Sequence, residues 1–118
     1  MLPPSHRLRS AASFRAVMRG PGRSRWGGRL VVVHAFAVGG PDAPARVGFV
    51  VSKAVGGAVV RNRTKRRLRA IMAGRLAGIP DGTDVVVRAN PAAADATYGE
   101  LDAELDRLLG RAVEGAGS

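Results

Sequence analysis

Cysteine is absent from the 118 residues, which excludes a disulfide framework and a thiolate metal site and fits a reducing compartment. Aromatic side chains are almost absent as well: three Phe, one Trp and one Tyr. A core must therefore be built mainly from Val, Leu and Ala. Long apolar runs are missing, and stretches such as 30–33 and 35–38 fall far short of the ~20 residues a bilayer span needs. The opening MLPPSHRLRS has no apolar segment of the signal-peptide kind, so the cytoplasm is the expected compartment and no membrane is expected as partner. His6 and His34, the only histidines, lie far apart and lack metal-motif spacing, so no protein metal ligand is expected. No nucleophile elbow is present either. These gaps leave protein-centred catalysis little to work with, and no catalytic side chain is expected.

The most informative scarcity is that of acids. Residues 1–80 hold sixteen Arg or Lys against one acid, Asp42, and none lies between residues 43 and 80. Residues 81–118 reverse the balance, with eight acids and three Arg, so the net charge of +10 is unevenly spread. Ordinary surfaces intersperse both signs. A long stretch of one sign points to a polyanion, and with the pattern below to nucleic acid.

What is present reads as one domain over residues 1–118, with 1–9 and 114–118 expected to be flexible. Ser10 is a candidate N-cap for a helix over 11–19, with Phe14, Val17 and Met18 on one face. Gly20-Pro21-Gly22 ends it, and 20–28 read as a Gly/Arg-rich loop holding Trp26. Residues 29–36 (RLVVVHAF) predict a strand apolar on both faces. After a turn at 39–42, residues 46–53 (RVGFVVSK) predict a second strand, antiparallel to the first because the connection is short. A helix follows over 59–76, then a strand over 84–89 (DVVVRA). The last helix opens with a capping box, Thr97 with Glu100, and an apolar stripe of Tyr98, Leu101, Leu105, Leu108, Leu109 and Ala112. Its acids Asp102, Glu104 and Asp106 read as a solvated flank. Neighbouring strands with helices packed on them give an α+β layered domain.

The chemistry concentrates at 53–69, KAVGGAVVRNRTKRRLR, where six of the nine residues from Arg61 to Arg69 are cationic. Helical spacing places Val60, Thr64, Leu68, Ile71 and Met72 on one stripe and Arg61, Asn62, Lys65, Arg66 and Arg69 on the other. Arginine forks suit phosphates, and no acid interrupts the run to pair with it. Gly56-Gly57 serve either as a turn or as a close approach for phosphate at the helix start. Phe14, Met18, His34 and Phe36 are candidates for stacking unpaired bases or for plain core. A lipid-surface helix would need its apolar stripe free, whereas here the core requires it. A DNA reader would aim side chains at base edges, and six crowded cations suit phosphates better.

The array Lys53-x-x-Gly56-x-Ala58-Val59-x-Arg61-Asn62-Arg63-x-Lys65-Arg66, preceded by VGFVVS at 47–52, closely resembles the signature of the bacterial ribonuclease P protein family. The likeness spans nearly the whole chain, from Arg7-Leu8 and the Phe14 helix to the last strand and helix. It implies a two-layer α+β sandwich of the ribosomal-protein type, with a mostly antiparallel sheet of about four strands and a left-handed βαβ crossover. It implies a subunit of an endoribonuclease that removes the 5′ leader of precursor tRNA. The chemistry would be carried by a catalytic RNA with Mg²⁺, held through the RNA and the substrate, and the protein alone would be inactive. Carried over, Lys53, Arg61, Asn62, Arg63, Lys65, Arg66 and Arg69 contact the catalytic RNA. Phe14, Val17, Met18 and His34 form a cleft for the precursor-tRNA leader, with Met18 and His34 standing where many members carry aromatics. No obligate protein partner is implied. The alternative is a ribosomal or RNA-chaperone protein that binds without assisting cleavage.

Overall fold

A computed structural model describes residues 2–19, 23–37 and 43–117. Ser10 does cap the first helix, α1 (Ala11–Arg19): its Oγ accepts from the Ser13 N–H at 3.0 Å. The Gly20-Pro21-Gly22 stop and the turn at 39–42 lie outside the described residues.

Four strands make one sheet: β1 (Ser24–Gly27), β2 (Val31–Ala37), β3 (Arg46–Val50) and β4 (Thr83–Ala89), in the spatial order β1-β2-β4-β3. Two expectations are corrected here. The Gly/Arg-rich stretch contains a strand, β1, antiparallel to β2. Its period of two is hidden by composition: Ser24 is buried beside Gly115 of the last helix, and Trp26 lies under the Arg111 guanidinium, 5.2 Å from its ring centre. Nor do β2 and β3 form a hairpin. β4 lies between them, antiparallel to β2 and parallel to β3. The reason is burial. Five of the seven β4 residues, Thr83 to Val87, are 5% exposed or less, and only the centre of the sheet covers both faces and pairs both edges. β3, half-buried along much of its length, suits the rim. Asp84, itself buried, takes a two-pronged bond from Arg46 (2.9 and 2.7 Å) that pins the parallel register.

Alternation along the strands divides the core. Val31, Val33, Ala35, Val47, Val85 and Val87 face α2 (Ala58–Ala73) and α3 (Tyr98–Gly117). On the opposite face, Val86 packs with Leu8 and Val17 beneath α1, which lies mainly over β2 and β4. α2 stops at Ala73, short of the expected residue 76, and Leu76–Gly78 tightens into a 3-10 turn. α3 starts with the predicted capping box, Thr97 N–H to Glu100 (2.9 Å) and Glu100 N–H to the Thr97 hydroxyl (3.1 Å). Tyr98, read as part of the apolar stripe, is instead 46% exposed at the first position of the helix, while the Leu residues behind it are buried.

Glu104 is not a solvated flank. Its carboxylate accepts from three successive backbone N–H groups, those of Arg29 (3.1 Å), Leu30 (2.7 Å) and Val31 (2.7 Å), at the start of β2. Asp102 and Asp106 both bind Arg75, which ties α3 to the end of α2. The N-terminal segment runs along the free edge of β3. The His6 Nδ1–H donates to the Ala45 carbonyl (2.6 Å), the Leu8 N–H to the Val47 carbonyl (3.0 Å), and Leu2 and Leu8 are buried.

Candidate nucleic-acid interface

The basic helix α2 is entered through Gly56, whose φ of +157° favours glycine, and through Gly57, which supplies no side-chain cap. Thr64, Leu68, Ile71 and Met72 turn inward. Asn62, Arg66 and Arg69 are exposed on the outer face, Arg61 and Lys65 are half-buried beside them, and Lys53 is exposed in the preceding turn. The two-faced reading of α2 therefore holds, with one refinement. Arg63 and Arg67 point sideways and donate to the carbonyls of Ala94 (3.1 Å) and Ala96 (2.9 Å), bracing the helix against the 3-10 turn Pro91–Asp95. Among the described residues, every ion pair lies elsewhere, and none reaches a cation between Arg61 and Arg69. An uncompensated cationic face of this kind raises the local concentration of polyanion.

The second set, Phe14, Val17, Met18 and His34, is brought together where α1 crosses the sheet. Val17 is fully buried and His34 is 3% exposed. The reachable surface belongs to Phe14 and Met18, with Phe36 and Val50 beside them, all half-buried. The end of the Phe14 ring comes down onto the sheet at residue 48, where only glycine leaves room; a Cβ there would collide with the ring. Burial lowers the His34 pKa to about 4, helped by the positive charges of Arg88, Arg25 and Arg23, so the imidazole is neutral at pH 7. Neither of its ring nitrogens has a hydrogen-bond partner among the described residues.

Arg25 and Arg88 were not singled out from the sequence, yet both border this cleft: Arg25 faces His34 across β1–β2, and Arg88 pairs with Val32 and Val50. The available signal was Arg88 itself, a cation inside the otherwise apolar DVVVRA. The described residues hold no cluster of acids and histidines that would bind a metal ion. No described helix is long and apolar enough to cross a membrane.

The family model for ribonuclease P matches residues 2–113. The chain belongs to the ribonuclease P protein family. The ribonuclease P protein component of Acidothermus cellulolyticus is 54% identical over 115 residues, covering 97% of this chain and 93% of that protein. That of Streptomyces bikiniensis is 50% identical over 122 residues, covering 93% and 97%. Among solved structures, the Staphylococcus aureus RNase P protein superposes with a TM-score of 0.79 at 27% identity, covering 91% of this chain and 94% of that one. The Thermotoga maritima RNase P protein gives 0.76 at 27%, covering 89% and 96%. As a ribonuclease P protein, the chain is a subunit of an endoribonuclease that matures the 5′ end of tRNA, and RNA is its partner. The four-stranded mixed sheet with three helices is the fold of these ribonuclease P proteins.

Proposed function

We propose that the protein presents two RNA-facing surfaces with different partners. The outer face of α2, with Lys53, Arg61, Asn62, Lys65, Arg66 and Arg69, docks on the catalytic RNA, and Arg63 both braces the helix and lends charge. The cleft under α1 receives the single-stranded 5′ leader of precursor tRNA. There Phe14 and Met18 offer apolar surface to unpaired bases, and Arg25 and Arg88 offer charge to phosphates. Val17 and the neutral His34 form the floor beneath them. Mg²⁺ acts through RNA and substrate, with no protein ligand, and the assembled enzyme works in the cytoplasm. The observation that supports this most directly is the run of cations on α2 with no ion-pair partner among the described residues.

The test adds the purified protein to a bacterial ribonuclease P RNA and precursor tRNA at low Mg²⁺. The protein stimulates 5′ cleavage, and without the RNA it cleaves nothing. Tight RNA binding without stimulation is the outcome expected of a binding-only protein and defeats the proposal. Phe14→Ala weakens binding of leader-bearing substrate by about fivefold to a hundredfold, the loss of one stacking contact, and leaves leaderless tRNA unaffected. Equal losses on both substrates remove the cleft from leader recognition.

A further inference from the structure

Beside α2, a cleft of about 280 Å³ opens between the N-terminal segment and the helix. Arg7 and Arg9 wall it on one side, Lys65 and Arg69 on the other, with Phe14 and Phe49 among the apolar groups between them. No acid lines it, and none of the four cations enters an ion pair among the described residues. The array is held in place from outside. Arg7 donates through Nε to the Leu2 carbonyl (3.0 Å), which orients its guanidinium, and its terminal nitrogens have no partner among the described residues. Bonds from His6 and Leu8 to the Ala45 and Val47 carbonyls fasten the segment to β3, and buried Leu8 sits between the two arginines. A second hollow of about 260 Å³, bordered by Arg7, Arg66 and Arg69, continues the same track along α2.

We infer that this cleft is a phosphodiester pocket in which Arg7 and Arg9 close on one backbone phosphate from the side opposite Lys65 and Arg69. Four cations converging without a counter-charge repel one another in the free protein, and an anion between them relieves that repulsion. Arginine's planar fork suits phosphate oxygens in particular. The pocket lies where the two proposed surfaces meet, since Phe14 borders it as well as the leader cleft, and Lys65 and Arg69 belong to the face of α2. Its phosphate therefore comes either from the catalytic RNA or from the substrate strand. The inference rests on the reading of α2 as RNA-facing.

Arg9→Gln and Arg69→Gln, singly and together, test it; neither side chain has a hydrogen-bond or ion-pair partner among the described residues. The salt dependence of affinity is measured in three arms: protein with catalytic RNA, assembled enzyme with leader-bearing precursor tRNA, and assembled enzyme with leaderless tRNA. Each single substitution makes one slope shallower by about one unit, so a tenfold rise in salt costs that complex about tenfold less affinity than it costs wild type. The double substitution changes the same slope by less than the sum, because both arginines serve one phosphate. A fall in the catalytic-RNA arm assigns the phosphate to that RNA, and a fall confined to leader-bearing substrate assigns it to the leader. Unchanged slopes, or fully additive losses, overturn the shared pocket while wild type still stimulates cleavage. Failure of wild type to stimulate overturns the functional reading instead.

Discussion

His34 is a neutral imidazole kept dry beneath a helix and surrounded by arginines, and its titration is coupled to folding. In the unfolded chain it takes a proton near its ordinary pKa of 6.5, whereas the folded protein resists protonation until about pH 4. The stabilising contribution is complete above pH 6.5 and is lost as pH falls through the window from 6.5 to 4. Between pH 7.5 and 4.5 the wild type should lose about 2–3 kcal/mol more than His34→Leu, read from urea denaturation at each pH. Parallel pH profiles for the two proteins would show that the imidazole does not titrate across folding. Much of this residue-level detail was hidden in the sequence. The cations of α2 were plain from spacing alone. That Arg63 and Arg67 would turn to the carbonyls of Ala94 and Ala96 depends on a turn brought alongside α2 by the fold, which helical periodicity does not report. His34 could be read as a stacking surface because it lies on an apolar strand, but its depth is set by α1 crossing above it.

Local signals set most of the helical elements. Ser10 and the Thr97–Glu100 box mark the starts of α1 and α3 because capping is a matter of a few neighbouring residues. β1 escaped notice because a short edge strand needs little apolar surface, and Ser24 finds its cover on α3 at the far end of the sequence. Glu104 shows the same limit, since its backbone partners at residues 29–31 are remote in the chain. It anchors α3 to the start of β2, so Glu104→Ala should destabilise the protein by about 2–4 kcal/mol, as three N–H groups lose a charged acceptor in a half-dry site. Glu104→Gln should recover part of that loss. A midpoint in urea indistinguishable from wild type for the Ala variant would mean that water replaces the carboxylate at no cost.

At the scale of the whole molecule, the charge asymmetry of the sequence survives into the fold. The cations of the N-terminal segment and of α2 have no ion-pair partner among the described residues, whereas acids of α3 are occupied with Arg29, Arg75, Arg107 and the β2 backbone. A net charge of +10 repels itself. Raising ionic strength from about 0.01 M to about 0.15 M should therefore raise the urea midpoint of the free protein, because screening of repulsion outweighs weakening of the few ion pairs. A falling midpoint would make those ion pairs the dominant electrostatic contribution.

The strand order was beyond reach of local reading, because pairing is decided by which strand most needs cover on both faces. That order has a consequence during synthesis. β4, the strand that joins β2 to β3, leaves the ribosome last of the four, after both of its partners have emerged. Until it arrives, β2 and β3 have no shared partner, and the N-terminal segment has no finished edge on which to lie. The sheet is therefore completed only when β4 emerges, and the cover that α3 lays over β1 and β2 comes later still.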